Sequence, residues 1–361
     1  MTKTKNRLSA TELLKKLVSI PSVSREEGNV ADFMFDYLKD LELSPQRQDN
    51  NVWVASTKAK NLPTILLNSH LDTVKPSKSY TRDPFAPTVE GDKIYGLGSN
   101  DAGASVVSLL ETFLNLKDVT MLPFNLVYAA TAEEEISGSK NLASIVPLLG
   151  KLDFAVVGEP TGMDIAVAEK GLMVVDCEAT GKAGHAARDE GVNAIYLAND
   201  AISWARSYKF DKVSSSLGPV KMTVTQIEAG TQHNVVPDSC RFVMDVRTTD
   251  SYTNEEVLAV IRDHMHLNCK ARSLRLEPSS IAMEHPFVQS ALRANCKSYG
   301  SPTLSDQAVL RIPSVKIGPG QSARSHTADE FVLISEIENG IEKYKTIFTD
   351  FADTLGKGAT L

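Results

Sequence analysis

Three short segments of this chain are apolar almost without interruption. Residues 64–68 read TILLN, residues 124–130 read FNLVYAA and residues 152–158 read LDFAVVG. A strand with one wet face alternates polar and apolar residues. A strand that does not alternate is covered on both faces, and strands covered by intervening helices make mostly parallel α/β sheets. The stretches between them read as helices. Residues 9–12, SATE, form a capping box ahead of Leu13, Leu14, Leu17 and Val18 at helical spacing. Val30, Phe33, Met34, Leu38 and Leu41 mark a second helix. Asp101 is expected to open a helix carrying Val106, Leu109, Leu110 and Phe113, and residues 135–149 read as helical. A last strand, SVKIG, is expected at 314–318.

The pattern changes near Glu169. GLMVVDCEATG alternates like a half-buried strand. A helix comes next (193–208), then strands KMTVTQIEA and CRFVMDVR, a helix (254–265) and a strand RSLRLEP. That order, β-α-β-β-α-β, is that of a ferredoxin-like unit. The expected organisation is therefore an α/β first domain in two parts, 1–168 and 282–361, with an inserted α+β module at 169–281.

In open α/β sheets, ligands bind beyond the carboxyl ends of the strands. Each expected strand here runs on into an imidazole or a carboxylate. TILLNS leads to His70 and Asp72, FNLVYAATA to Glu133, Glu134 and Glu135, LDFAVVG to Glu159, and SVKIGPGQSARS to His326. Asp101 comes directly after the loop GLGSN. Three adjacent carboxylates at the end of a buried strand repel one another and are costly to bury unpaired. Divalent cations offset that repulsion. Histidine and carboxylate donors without cysteine suit zinc, with cobalt or manganese as substitutes. One cation uses about four ligands. This larger set suits two cations, ~3.5–4 Å apart and sharing a carboxylate, with one glutamate left to take a proton from water. Taken singly, a His-x-Asp pair is usually a surface pair and a glutamate run a solvated helix start. Their coincidence after strands of one sheet is what favours a dinuclear site. A metal-binding scaffold without catalysis would need the ligands but no spare glutamate.

Composition excludes other classes. The net charge of −7 argues against a nucleic-acid partner, which would want a basic face. No run approaches the ~18 apolar residues of a membrane span, and the N-terminal residues lack a signal-peptide core. Cys177, Cys240, Cys269 and Cys296 form no CxxC pair. They read as reduced thiols of a cytoplasmic protein.

The motifs SHLDTV, GLGSNDAGA, TAEEE, VVGEPT, GKAGHAA, HNVVPDSCRFVMDVR and GPGQSARSHTADEF together resemble the aminoacylase and carboxypeptidase family of co-catalytic zinc hydrolases. Acetylornithine deacetylases and succinyl-diaminopimelate desuccinylases belong to that family. The resemblance implies that His70 and Glu159 hold one zinc, that Glu135 and His326 hold the other, and that Asp101 bridges them. It implies Glu134 as general base, Asp72 as the carboxylate orienting His70, and no role for Glu133. The inserted module would be a lid and dimerisation domain. There, His185 would donate to the developing oxyanion, and Asn234 and Arg247 would meet the substrate, Arg247 at its carboxylate. Arg324 is a further candidate for the distal end of the substrate. The expected substrate is an N-acyl amino acid, and the expected assembly a homodimer. Relatives commonly read Asp-Met-Lys-Gly at the bridging aspartate, whereas Asp101 is followed by Ala102, Gly103 and Ala104. The missing lysine is not a ligand, so the departure bears on substrate preference rather than on metal.

Overall fold

Why the three apolar segments do not alternate is plain in the computed structural model, which describes residues 7–188 and 190–359. In the strand Thr64–His70, Ile65 and Leu67 enter one hydrophobic core while Leu66 enters another on the opposite face. Asn125–Thr131 divides likewise, Leu126 and Tyr128 from Val127 and Ala129. Ile65, Leu66, Leu67 and Tyr128 have no exposed surface. Burying side chains of this size is worth roughly 1.5–3 kcal/mol each, on both faces of each strand.

The chain divides into two compact units. One comprises residues up to 167, 281–299 and from 305 onward; the other comprises 168–280 and 300–304. The first unit carries a sheet in the order Gln46–Gln48, Asn51–Ser56, Asn125–Thr131, Thr64–His70, Phe154–Val157, Ser314–Lys316, Ile165–Glu169. Its central four strands are parallel, and the strands flanking them are antiparallel. Helices Ala10–Val18, Gly28–Asp40, Ala104–Leu116 and Ile334–Gly356 bury their apolar faces in the same core as Ile65 and Leu67. The first begins at the capping box of Ser9 and Glu12.

The second unit is a four-stranded antiparallel sheet in the order Lys221–Ala229, Ser239–Arg247, Met173–Thr180, Asn268–Ala271. With helices Ala194–Ser207 and Asn254–Met265 it has the ferredoxin-like chain order. Met173, Val175, Cys177 and Ala179 turn inward at every second position onto the helices. All four cysteines are buried free thiols. No described helix is long and apolar enough to cross a membrane.

Three expected elements differ. The helix at 135–149 is reduced to Leu142–Ile145 and a 3-10 turn, Val146–Leu148. Glu133 and Ser137 are left-handed (φ 55° and 46°), and the N–H groups of Glu134 and Glu135 donate to Asp72 rather than into a helix. The helix after Asp101 starts only at Ala104, because Asp101 itself is extended (φ −120°, ψ 95°). The strand at 272–278 lies earlier, at Asn268–Ala271, where Cys269 faces Cys177 in register. Beyond it only single backbone bonds continue, such as Arg272 N–H to the Val174 carbonyl.

His285 caps the helix Pro286–Arg293: its Nδ1 accepts from Phe287 N–H at 3.2 Å while its ring lies 4.7 Å from that of Phe154. Burial pushes its pKa down to about 4 from an ordinary 6.5. A depressed folded value means that the unfolded chain takes up the proton first. The stability that neutral His285 contributes is complete above pH 6.5 and is lost as pH falls toward 4. Protonation would also convert the capping acceptor into a donor. His285→Asn, which keeps an acceptor at the cap, should lose less stability than wild type between pH 7 and 4.5. Urea midpoints at the two pH values check this; parallel declines would refute it.

Candidate metal centre

The four parallel strands end on one edge of the sheet, and the residues beyond those ends converge within the first unit. His70 is the last residue of its strand, in register with Thr131. Glu159 lies two residues past Val157. His326 lies in the left-handed region (φ 60°) of the loop after Ser314–Lys316. His70 Nε2 is 3.2 Å from Asp101 Oδ1 and 3.8 Å from Glu159 Oε1. His326 Nε2 is 2.9 Å from Glu135 Oε2 and 3.7 Å from Asp101 Oδ2. Asp101 thus turns one oxygen to each histidine. His70, Asp101 and Glu159 form one group, and Asp101, Glu135 and His326 another. Within each group the donor atoms lie within 4.8 Å of one another. Two three-donor groups of nitrogen and oxygen sharing one carboxylate fit a pair of divalent cations.

The three glutamates take three different placements. Glu133 is turned back into the protein: its carboxylate accepts from Lys140 N–H at 3.1 Å, and its own N–H donates to buried Glu27 at 3.2 Å. Glu135 belongs to the second donor group, and Glu134 to neither. Asp72 sets this register from outside. It is buried, and its two oxygens accept from Glu134 N–H at 3.0 Å and Glu135 N–H at 3.2 Å. Its relation to His70 is more divided than the resemblance implies. His70 Nδ1 lies 2.9 Å from the Asp72 carbonyl oxygen and 3.5 Å from its carboxylate. The carbonyl is the nearer partner of the ring.

The electrostatics come from burying this many acids together. Desolvation, with the charges of Glu159, Asp306 and Glu135, holds the Glu134 carboxyl well above the usual range against the pull of His70. Desolvation does the same to Glu159, with His70 and then buried Lys316 partly opposing it. Burial alone would lower the His70 pKa, but Asp101, Asp72, Glu159 and Glu134 together raise it well above the ordinary value. The Glu135 hydrogen bond raises His326 to about 9. Such a cluster holds protons that a cation must displace.

Three functional neighbours escape a reading of the sequence. Asp306 accepts from Asn68 at 3.0 Å and Thr131 at 2.9 Å, tying together the ends of the strands that lead to His70 and the glutamates. Lys316 is a buried lysine at the end of the last parallel strand. Glu330 is buried against the loop that carries Asp101. Glu330 lies in HTADEF, where acids beside an expected strand read as solvated; only its position four residues after His326 could have singled it out.

His185, Asn234 and Arg247 lie in the second unit. It brings two of them together: Gly184–His185 pairs with Val235–Val236, and Ala186 N–H donates to the Asn234 carbonyl at 3.0 Å. His185 is exposed. Arg247 stands on the larger sheet, and its fork meets Asp245 at 2.8 and 3.1 Å. Arg324, in the first unit, is held by both oxygens of Glu336 (2.6 and 3.1 Å) and lies over the Phe331 ring at 4.5 Å. Both arginines thus have an acidic partner at the fork, Arg247 in Asp245 and Arg324 in Glu336.

Comparison with known proteins adds the lineage. An acetylornithine deacetylase of Buchnera aphidicola is 26% identical over 361 residues, which cover 90% of this chain and 93% of the relative. Among solved structures, aminopeptidase PepT of Bacillus cereus superposes with a TM-score of 0.76 at 20% identity, covering 97% of this chain and all of that one. A Bacillus subtilis protein described as a dinuclear metal binding peptidase does so with a TM-score of 0.71 at 17% identity, covering 96% and 98%. Residues 66–350 match the model of Peptidase family M20/M25/M40, and the chain belongs to that family.

Proposed function

We propose that this protein hydrolyses the amide bond of an N-acyl amino acid, using two divalent cations held by His70, Asp101, Glu135, Glu159 and His326. The observation that carries the reading is the shared Asp101, one oxygen toward each donor group, with Glu134 outside both. Zinc is the cation proposed, with cobalt or manganese able to replace it. When bound, such a pair polarises a carbonyl and lowers the pKa of water toward ~7. The rest falls to the chain. Glu134, whose burial gives it appetite for a proton, takes one from the attacking water and returns it to the leaving amine. Asp72 keeps Glu134 and Glu135 in place through their backbone.

The proposed substrate is N-acetylornithine, or a related N-acetyl or N-succinyl ornithine or citrulline, with a place in arginine biosynthesis. The relative from Buchnera supports it over most of both chains. The desuccinylase reading differs only in the acyl group and the amino acid. The likeness to PepT favours a second reading, cleavage of small peptides by the same residues. Four unpaired buried thiols suit the cytoplasm. Pairing of two chains through the second unit, with His185 acting in the partner's centre and Asn234 beside it, completes the proposal.

A substrate panel on zinc-loaded protein tests it. Acetylated and succinylated amino acids should be cleaved with kcat/KM well above that for di- and tripeptides; the reverse order would replace the first reading by the second. Arg247 supplies an internal check. Its side chain is 31% exposed beside Asp245, and a planar fork suits a carboxylate. Arg247→Ala should therefore impair free N-acyl amino acids far more than their amides. Equal losses would leave Arg247 as the partner of Asp245 alone.

A further inference from the structure

The loop that presents Asp101 has almost no regular structure of its own. Gly98 is left-handed (φ 76°), and Asp101 and Ala102 are non-helical. Its N–H groups nevertheless find one common partner. Glu330, 2% exposed, accepts from Asn100 N–H at 2.8 Å and Asp101 N–H at 2.9 Å through one oxygen, and from Gly98 N–H at 3.1 Å through the other. A second tie runs back: Gly96 N–H donates to the Glu330 carbonyl at 2.9 Å. Asn100 adds a cross-link through its side chain, donating to the Gln321 carbonyl at 3.1 Å and accepting from Gln321 N–H at 2.9 Å. The segment that carries His326 thus also supplies the partners that hold Asp101.

An unpaired buried N–H is costly, so three N–H groups facing one buried carboxylate fix the loop more firmly than its sequence would. We infer that Glu330 is a positioning residue for the proposed cation pair: it locks the Asp101 loop to the His326 segment, so that the shared carboxylate and the His326 donor are set as one piece. Glu330 reaches no donor group itself; it acts through the backbone of Asp101. The inference rests on the proposed dinuclear site and adds a residue to it.

The test uses the full chain, stripped of metal and titrated with zinc against a chromophoric chelator, and in parallel loaded with cobalt for its visible spectrum. Glu330→Ala should weaken cation binding by ~10–100-fold, as loss of a partner behind a metal ligand commonly does, and should alter the cobalt bands. Glu330→Gln can keep the oxygen that meets Asn100 and Asp101 but sets an amide against Gly98 N–H. It should fall between wild type and Glu330→Ala, and it keeps the test open if the alanine variant does not fold. On substrate, kcat should fall more than KM rises, since the shared carboxylate rather than a substrate contact is disturbed. Variants that melt earlier yet bind zinc within twofold of wild type and show its cobalt spectrum would overturn the inference and leave Glu330 merely structural. A wild type that takes up no cation would overturn the proposed site along with it.

Discussion

Glu134→Ala should keep two cations per chain and lose at least ~10²–10⁴ of turnover, the usual cost of removing a general base. The separation of effects is the informative part. Glu134 stands outside both donor groups, so its removal leaves all five donors in place. The substitution removes one nearby negative charge but no donor, so most of the metal should stay bound. Glu135→Ala should behave differently. It removes the oxygen 2.9 Å from His326, and elemental analysis should show metal lost together with activity. If alanine at 134 strips the metal and alanine at 135 spares it, the tasks of the two glutamates are exchanged and the proposed mechanism loses its base. The control lies next door. Glu133→Gln keeps an acceptor for Lys140 N–H and should change turnover least of the three.

Two inactive variants should recover activity on mixing. His185→Ala and Glu134→Ala are each expected to be nearly inert as homodimers. If His185 serves the partner's centre, a mixed dimer gathers both lesions in one site and leaves the other intact. Random exchange at equal amounts then restores about one quarter of wild-type sites, half the dimers being mixed and half of their sites whole. The motive is the placement of His185, exposed on a two-stranded ribbon outside the unit that holds the donor groups. Its Nδ1 accepts from Ala187 N–H at 3.1 Å, which leaves Nε2 as the donor for an oxyanion. Subunit exchange is tracked with differently tagged chains. Proven exchange without recovery would return His185 to its own chain or to no catalytic part.

The sheet was legible because burial on both faces leaves a mark along the chain: Leu66 must be as apolar as Leu67 when each meets a different core. The donor groups were legible because parallel strands bring their ends to one edge, so His70 and Asp101, 31 positions apart, and Glu135 and His326, 191 apart, meet at a predictable place. What stayed hidden was backbone chemistry. Nothing in EEEISG announces that two of its N–H groups are claimed by Asp72, so a helix looked reasonable there. Glu27, Asp306 and Glu330 were invisible for a related reason. Each is a carboxylate buried by partners far along the chain, such as Glu133 N–H for Glu27 and Gly98 N–H for Glu330, and an isolated acid in a sequence reads as solvated.

The two oxygens of Asp101, one facing His70 and the other His326, make the occupancies of the two donor groups linked quantities. An ion arriving in either group draws on a charge and fixes a side-chain angle that the other ion also uses. Whatever factor the first changes in the affinity of the second, the second returns to the first by thermodynamic necessity. For the proposed cation pair, loading and stripping should therefore be coupled, and the sign of the coupling reports whether a carboxylate already fixed in place outweighs the repulsion between two cations.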